Sequence, residues 1–237
     1  MAIADVLFIK ASPNKAAAYP ICIAIFPEHI LRPHCVTRED MLLTIRTPRL
    51  LLRPWRDEDV DAFAAMFDDP KVMEFLLTAR GRMSASADAD RAAIDAIVGR
   101  IRAHFDQHGY GWWAAELQET GAFIGFIGLV HIPFEAHFTP AVEVGWRLAS
   151  AYWGKGYATE GARASLEVAF TELGLEEIVS ITVPANQRSW RVMERIGMTR
   201  DPADDFDHPR VPDGSPMKRH VLYRIDRARW AETRGRH

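Results

Sequence analysis

The sequence predicts one α+β domain over residues 44–228, with a mostly antiparallel sheet flanked by helices. Three observations point there. Two stretches in the first half, residues 60–67 and 94–105, repeat apolar residues at helical spacing. From Tyr110 the period drops to two, through GYGWWAAEL, AFIGFIGLVHI and AVEVGWRLA. A glycine-rich turn, YWGKGYATEG, then leads into a further helix and a further strand.

In chain order, TPRLLLRPW reads as a first strand ended by Pro54. Asp57 is placed to cap the next helix, whose Val60, Phe63, Ala64 and Phe67 share a face and which Pro70 stops. A short segment with Val72, Phe75 and Leu76 follows, then a polar loop at 78–87. Ile94, Ile97, Val98, Ile101 and Phe105 mark a longer amphipathic helix closed by Gly109. The period-two stretches on either side of QETG form a hairpin. Within AVEVGWRLA, Val142, Val144, Trp146 and Leu148 share one face, and Glu143, Gly145 and Arg147 share the other.

Beyond the glycine turn, Ala158, Ala162, Leu166, Ala169 and Leu173 line the buried stripe of a helix. Gly174 ends it, with Leu175 placed for the closing apolar contact. IVSITV is a strand, and a helix over 187–196 runs from cap Asn186 to stop Gly197. MKRHVLYRI is the final strand, and residues 229–237 are a C-terminal tail. No internal repeat or low-complexity linker is present.

Bulk properties narrow the class. A chain of 237 residues, 48% hydrophobic with formal net charge −3, fits a soluble globular protein with a self-sufficient core. So balanced a charge argues against a nucleic-acid or anionic-membrane surface. Both cysteines, Cys22 and Cys35, precede the domain, which therefore has no disulfide, thiolate chemistry or cysteine-held zinc. A cytoplasmic setting fits. No apolar run reaches the roughly 18–20 residues of a membrane span. AAAYPICIAIF follows Lys10 and Lys15 and admits a signal peptide, yet no clean small-x-small cleavage site comes after it. Residues 1–40 read instead as an N-terminal extension, loosely ordered or upstream of a true start at Met41.

Strand, glycine turn, helix is an arrangement that binds phosphate, because main-chain N–H groups at a helix start lack partners. A P-loop fails here: Gly154-Lys155-Gly156 lacks the spacing and the hydroxyl after the lysine. A dinucleotide fingerprint fails as well, since Thr159 stands where a third glycine belongs. An isolated tight turn without a ligand is the plain alternative.

Two stretches together, Trp153-Gly154-Lys155-Gly156-Tyr157-Ala158 and PANQRSWRVMERIGM, resemble the GCN5-related N-acetyltransferase (GNAT) superfamily. More narrowly they resemble its ribosomal-protein N-terminal (alanine/serine) acetyltransferase branch, as do TPRLLLRPW, HGYGWWAAEL, FDHPRVPDG and HVLYRI. Trp153 departs from the usual Gln or Arg of the loop. The resemblance implies an acyl-CoA N-acyltransferase fold in which two parallel strands, AVEVGWRLA and EEIVSITVP, splay apart around the pantetheine arm of acetyl-CoA. It implies a diphosphate over the main chain of Gly154, Lys155, Gly156, Tyr157 and Ala158, with Lys155 adding mobile charge. Main-chain groups of Trp146, Arg147 and Leu148 would bond the arm, and Asn186 would hold it or serve as a plain N-cap.

Transfer from a thioester to an amine needs a neutral amine, a stabilised carbonyl oxygen and a proton for the thiolate. Ser189 matches the family's proton-donor position, or is an ordinary first-turn residue. Glu143 is the general-base candidate, or an ion-pair partner of Arg147 on the same strand face. The implied activity is N-acetylation of a protein N-terminus or small amine by direct attack, without a metal. A degenerate acyl-CoA-binding module and a nucleotide-binding protein are the alternatives. The family commonly dimerises, so a homodimer is admitted.

Other groups carry a weaker signal. His104 and His108 have ligand spacing, but no third ligand is evident in the sequence and Phe105 marks a buried face beside them. DPADDFDHP either steers a cationic amine or is simply solvated. One of Trp112 and Trp113 belongs to the core. The other, or Tyr110 or His208, could wall the acceptor site.

Overall fold

The computed structural model describes residues 43–75 and 87–234. The extension over 1–40, Leu76 and the polar loop up to residue 86 lie outside the described residues.

Among the described residues, nine strands form one mixed sheet: β1 (Ile45–Arg46), β2 (Leu50–Arg53), β3 (Trp112–Leu117), β4 (Phe123–His131), β5 (Val142–Leu148), β6 (Glu177–Thr182), β7 (Thr199–Arg200), β8 (Phe206–Asp207) and β9 (Arg219–Asp226). Their spatial order is β1-β2-β3-β4-β5-β6-β9-β7, with β8 also on β9. The β5–β6 pair is parallel and the other pairs are antiparallel. The described α-helices flank the sheet: α1 (Asp59–Ala65), α2 (Pro70–Met73), α3 (Ala87–His108), α4 (Tyr157–Thr171), α5 (Gln187–Arg195) and α6 (Arg227–Arg234).

Successive residues of β4 show how the sheet is covered on both faces. Ile127 points at α4, so close to Gly161 that a Cβ there would stand 2.5 Å from its Cδ1. Phe126 points the other way, 6.0 Å between ring centroids from Phe63 of α1. A side chain at residue 161 would therefore force Ile127 or α4 itself to shift. The hairpin expected around QETG forms, with Gly121 at φ 71 and its N–H bonded to the Leu117 carbonyl at 2.8 Å. Trp113 is the core tryptophan, fully buried. At the end of α4, the Leu175 N–H reaches the Ala169 carbonyl at 3.0 Å across Gly174 at φ 67. That bond closes the helix at the stop the glycine predicts.

Local expectations fail where a charged side chain finds a better partner. Asp57 does not cap α1; its carboxylate pairs with Arg102 at 2.7 Å, and the cap residue Glu58 makes no side-chain cap bond. Asp59 anchors the helix instead. It takes both guanidinium nitrogens of buried Arg53 at 2.7 and 2.8 Å, while Arg53 Nε bonds Glu116 at 2.7 Å. Removing one member of such a buried set costs about 3–5 kcal/mol. Pro70 begins α2 rather than stopping α1: Asp69 accepts the Lys71 N–H at 2.9 Å, and proline at N1 has no N–H to waste. Residues 229–234, read as tail, continue α6, whose Trp230 packs 5.2 Å from Phe170.

Candidate active site

The parallel strands part at one residue. β5 meets β6 in register only where Glu143 faces Val179. Buried Ser180 closes the apex, its Oγ donating to the Val144 carbonyl at 2.8 Å. On the other side β5 stays paired with β4 along its whole length. The Ala149 N–H bonds the Ile124 carbonyl at 3.0 Å, so strand alternation turns the main chain of Arg147 toward β4. Trp146 and Leu148 turn theirs toward the gap. The Leu148 carbonyl is taken by the Trp153 indole at 2.7 Å, which leaves its N–H and both main-chain groups of Trp146. Of the three positions expected to bond an arm, Arg147 is turned away.

At the gap's open end lies the glycine turn. Gly154 and Gly156 have φ 75 and 84, a region that costs other residues roughly 1–2 kcal/mol each. Gly156 caps α4 without a side chain. No hydrogen bond found among the described residues uses the N–H groups of residues 154–159. With the helix dipole they make an anion-binding end that includes Tyr157 and Ala158. Exposed Lys155 sits 5.5 Å over the Tyr152 ring.

Arg49, which sequence reasoning missed, braces this turn from behind. Its Nη1 donates to the Lys155 carbonyl at 2.8 Å, its Nε pairs with Glu160 at 2.6 Å, and its guanidinium lies 4.6 Å over Tyr157. The Arg49 N–H and Thr47 hydroxyl also donate to Glu160, at 2.8 and 2.6 Å. The acid in the first turn of α4 is thereby paired and does not repel an anion. In sequence Arg49 looks like any charge flanking a strand, since its partner lies 111 residues away.

The start of α5 adjoins the same opening through Arg188, whose guanidinium lies 4.5 Å over Trp153. Asn186 is the N-cap, its carbonyl accepting the Ser189 N–H at 3.3 Å. Its amide donates to Thr182 Oγ1 and to Ser189 Oγ, both at 3.0 Å. Because Ser189 Oγ accepts there, its own proton is free to be donated elsewhere.

Glu143 lies at the apex, roughly 10 Å along the strand from Trp146 at about 3.4 Å per residue. Burial pushes its carboxyl up to about 8, against the opposing pull of the Ile181 N–H and the Arg147 charge. Arg147 makes no salt bridge with it within 4.0 Å among the ion pairs found, and instead lies over Phe126 and Phe67 at 5.3 and 5.9 Å. Beside Glu143 is Trp112, stacked on Phe126 at 4.8 Å, whose buried Nε1 has no partner among the described residues. A Cβ on Gly145 would stand 3.2 Å from that Nε1 and 3.7 Å from Glu143 Oε1. Glycine here keeps a small space open between a carboxylate and an idle donor.

Groups outside the split sort differently. In the acidic stretch Asp204, Asp205 and Asp207 each pair with an arginine (Arg224, Arg200 and Arg219), which leaves little net field to steer an amine. His208 is buried against Phe134 at 4.5 Å, and burial pulls its imidazole down to about 4. Tyr110 is buried too, its hydroxyl 2.9 Å from His131 Nε2. His131, at the end of β4, is the third imidazole that the pair His104 and His108 lacked in sequence.

A parallel pair that splays beside a glycine turn at a helix start defines the acyl-CoA N-acyltransferase class. Residues 49–199 match the family model described as an acetyltransferase (GNAT) domain, and the chain belongs to that family. It is similar to the FsC-acetyl coenzyme A-N(2)-transacetylase of Aspergillus fumigatus, 31% identical over 191 residues, 79% of this chain and 77% of that protein. An acetyltransferase structure from Agrobacterium tumefaciens matches with TM-score 0.61 and 31% identity, covering 78% of this chain and 95% of that one. RimJ of Mycobacterium smegmatis, solved with CoA-disulfide, matches in fold with TM-score 0.59 and 21% identity over 79% of this chain and 87% of that one. The protein is thus an acetyl-CoA-dependent acyltransferase. No helix among the described residues is long and apolar enough to cross a membrane.

Proposed function

We propose that the protein moves the acetyl group of acetyl-CoA to a primary amine by direct attack. The observation that carries this is Glu143 at the strand apex, with Trp112 Nε1 unpartnered among the described residues across the space that Gly145 keeps clear. The donor's diphosphate lies on the N–H groups of residues 154–159, braced by Arg49. Its arm bonds Trp146 and Leu148 and passes Asn186. Glu143 in its ionised form takes a proton from the amine, directly or through a water. Ser189 donates its free proton toward the thiolate as charge develops. Electrons move from the amine nitrogen to the carbonyl carbon, and the C–S bond breaks. The fungal relative, named for an N(2)-transacetylase, supports a nitrogen acceptor. A cytoplasmic setting belongs to the same proposal.

The test is thiol release from acetyl-CoA with N-terminal peptides, polyamines and aminoglycosides in turn. Turnover above background with at least one amine is expected. Tight acetyl-CoA binding with no turnover on any amine contradicts transfer and leaves a sensing module.

A further inference from the structure

We propose that His104, His108 and His131 form a binding site for a divalent transition metal of the Zn2+ type. His104 and His108 are one helical turn apart at the end of α3, and His131 ends β4 beside them. One ring nitrogen of each lies within 4.8 Å of the others. The ring centroids of His104 and His131 stand 4.4 Å from that of His108 on either side. Ligand nitrogens in a tetrahedral zinc site stand about 3.3 Å apart, given Zn–N bonds of about 2.0–2.1 Å. Small side-chain rotations close the difference.

The surroundings orient the rings as metal ligands are oriented. His104 Nδ1 bonds the Tyr110 carbonyl at 2.8 Å, which fixes the proton there and leaves Nε2 as the bare nitrogen. That nitrogen now receives the His131 N–H at 3.1 Å, a contact the metal would replace. The Tyr110 hydroxyl holds His131 Nε2 at 2.9 Å and leaves Nδ1 for the metal. One tyrosine thus sets two of the rings from outside. His108, with no ring hydrogen bond among those found, completes three imidazoles, and a fourth position stays open to water. Such an ion would tie the end of α3 to the strand end opposite Val142, next to Glu143.

The test strips the full-length chain with chelator and titrates Co2+, following visible absorption, and then Zn2+, following Tm. One equivalent of Co2+ with the intense bands of low coordination is expected, and Zn2+ should raise Tm. His108→Ala should leave the metal-free Tm unchanged and lose at least tenfold in Co2+ affinity. His131→Asn should lose the bands as well. Because Cys22 and Cys35 could also take metal, the variants decide. Absence of the Co2+ bands, or bands that persist unchanged in His108→Ala, would overturn the assignment.

Discussion

The two ends of β5 do their work with different parts of the chain. At its C-terminal end almost everything offered to a ligand is main chain: Trp146, the Leu148 N–H and the turn over residues 154–159. At its N-terminal end the useful groups are side chains: Glu143, Trp112 and the space beside Gly145. Main chain suits a donor whose diphosphate and amide-bearing arm are the same in every turnover. Side chains suit proton transfer, where a pKa must be set by burial and neighbours.

Three substitutions sharpen or break that division. Glu143→Gln has the largest expected effect, a fall in kcat of about 100-fold, as for a lost general base. The carboxyl must be ionised to act, so wild-type kcat/KM should rise with pH through about 8. An α-amine titrates at about 7.7–8.0 as well, so the profile is compared across acceptors of different basicity. A limb that follows the acceptor and survives in Glu143→Gln removes this residue as the base. Ser189→Ala should lower kcat about tenfold, near the ~1.5 kcal/mol of one charge-assisted hydrogen bond, with little change in KM for acetyl-CoA. A change in KM alone would move Ser189 to the binding side of the comparison. Arg49→Ala should have the smallest effect. It loosens the turn by about 0.5–1 kcal/mol, a KM for acetyl-CoA raised a few-fold at constant kcat.

The same division explains what the sequence discloses. Gly154, Gly156, Gly109 and Gly174 stand at left-handed turns, and backbone requirements of that kind show directly as residue type. Alternation fixed the faces of β5, and with them Glu143 and Gly145 on one side. Contacts between distant segments left no such mark. Arg49 bracing Lys155, Arg102 taking Asp57 and His131 joining the His104 pair each depend on a fold that brings remote residues together. The sequence offers Trp112 as a wall candidate beside Trp113, Tyr110 and His208, yet its idle indole N–H shows only once Phe126 and Gly145 are in place. The resemblance gives the arm to Trp146, Arg147 and Leu148 alike, and only the hydrogen-bonding alternation of the ladder turns the main chain of Arg147 away.

The claim on which the rest depends is that the donor's diphosphate rests on bare main chain at the start of α4. Calorimetric titration of acetyl-CoA into the wild type and into Gly156→Asp tests it most directly. A carboxylate at φ 84 both strains the turn and repels the anion. One-to-one binding by the wild type, weakened at least 100-fold in a variant with unchanged circular dichroism, is the predicted result. Equal affinity in the two proteins, or no heat with the wild type, would contradict it.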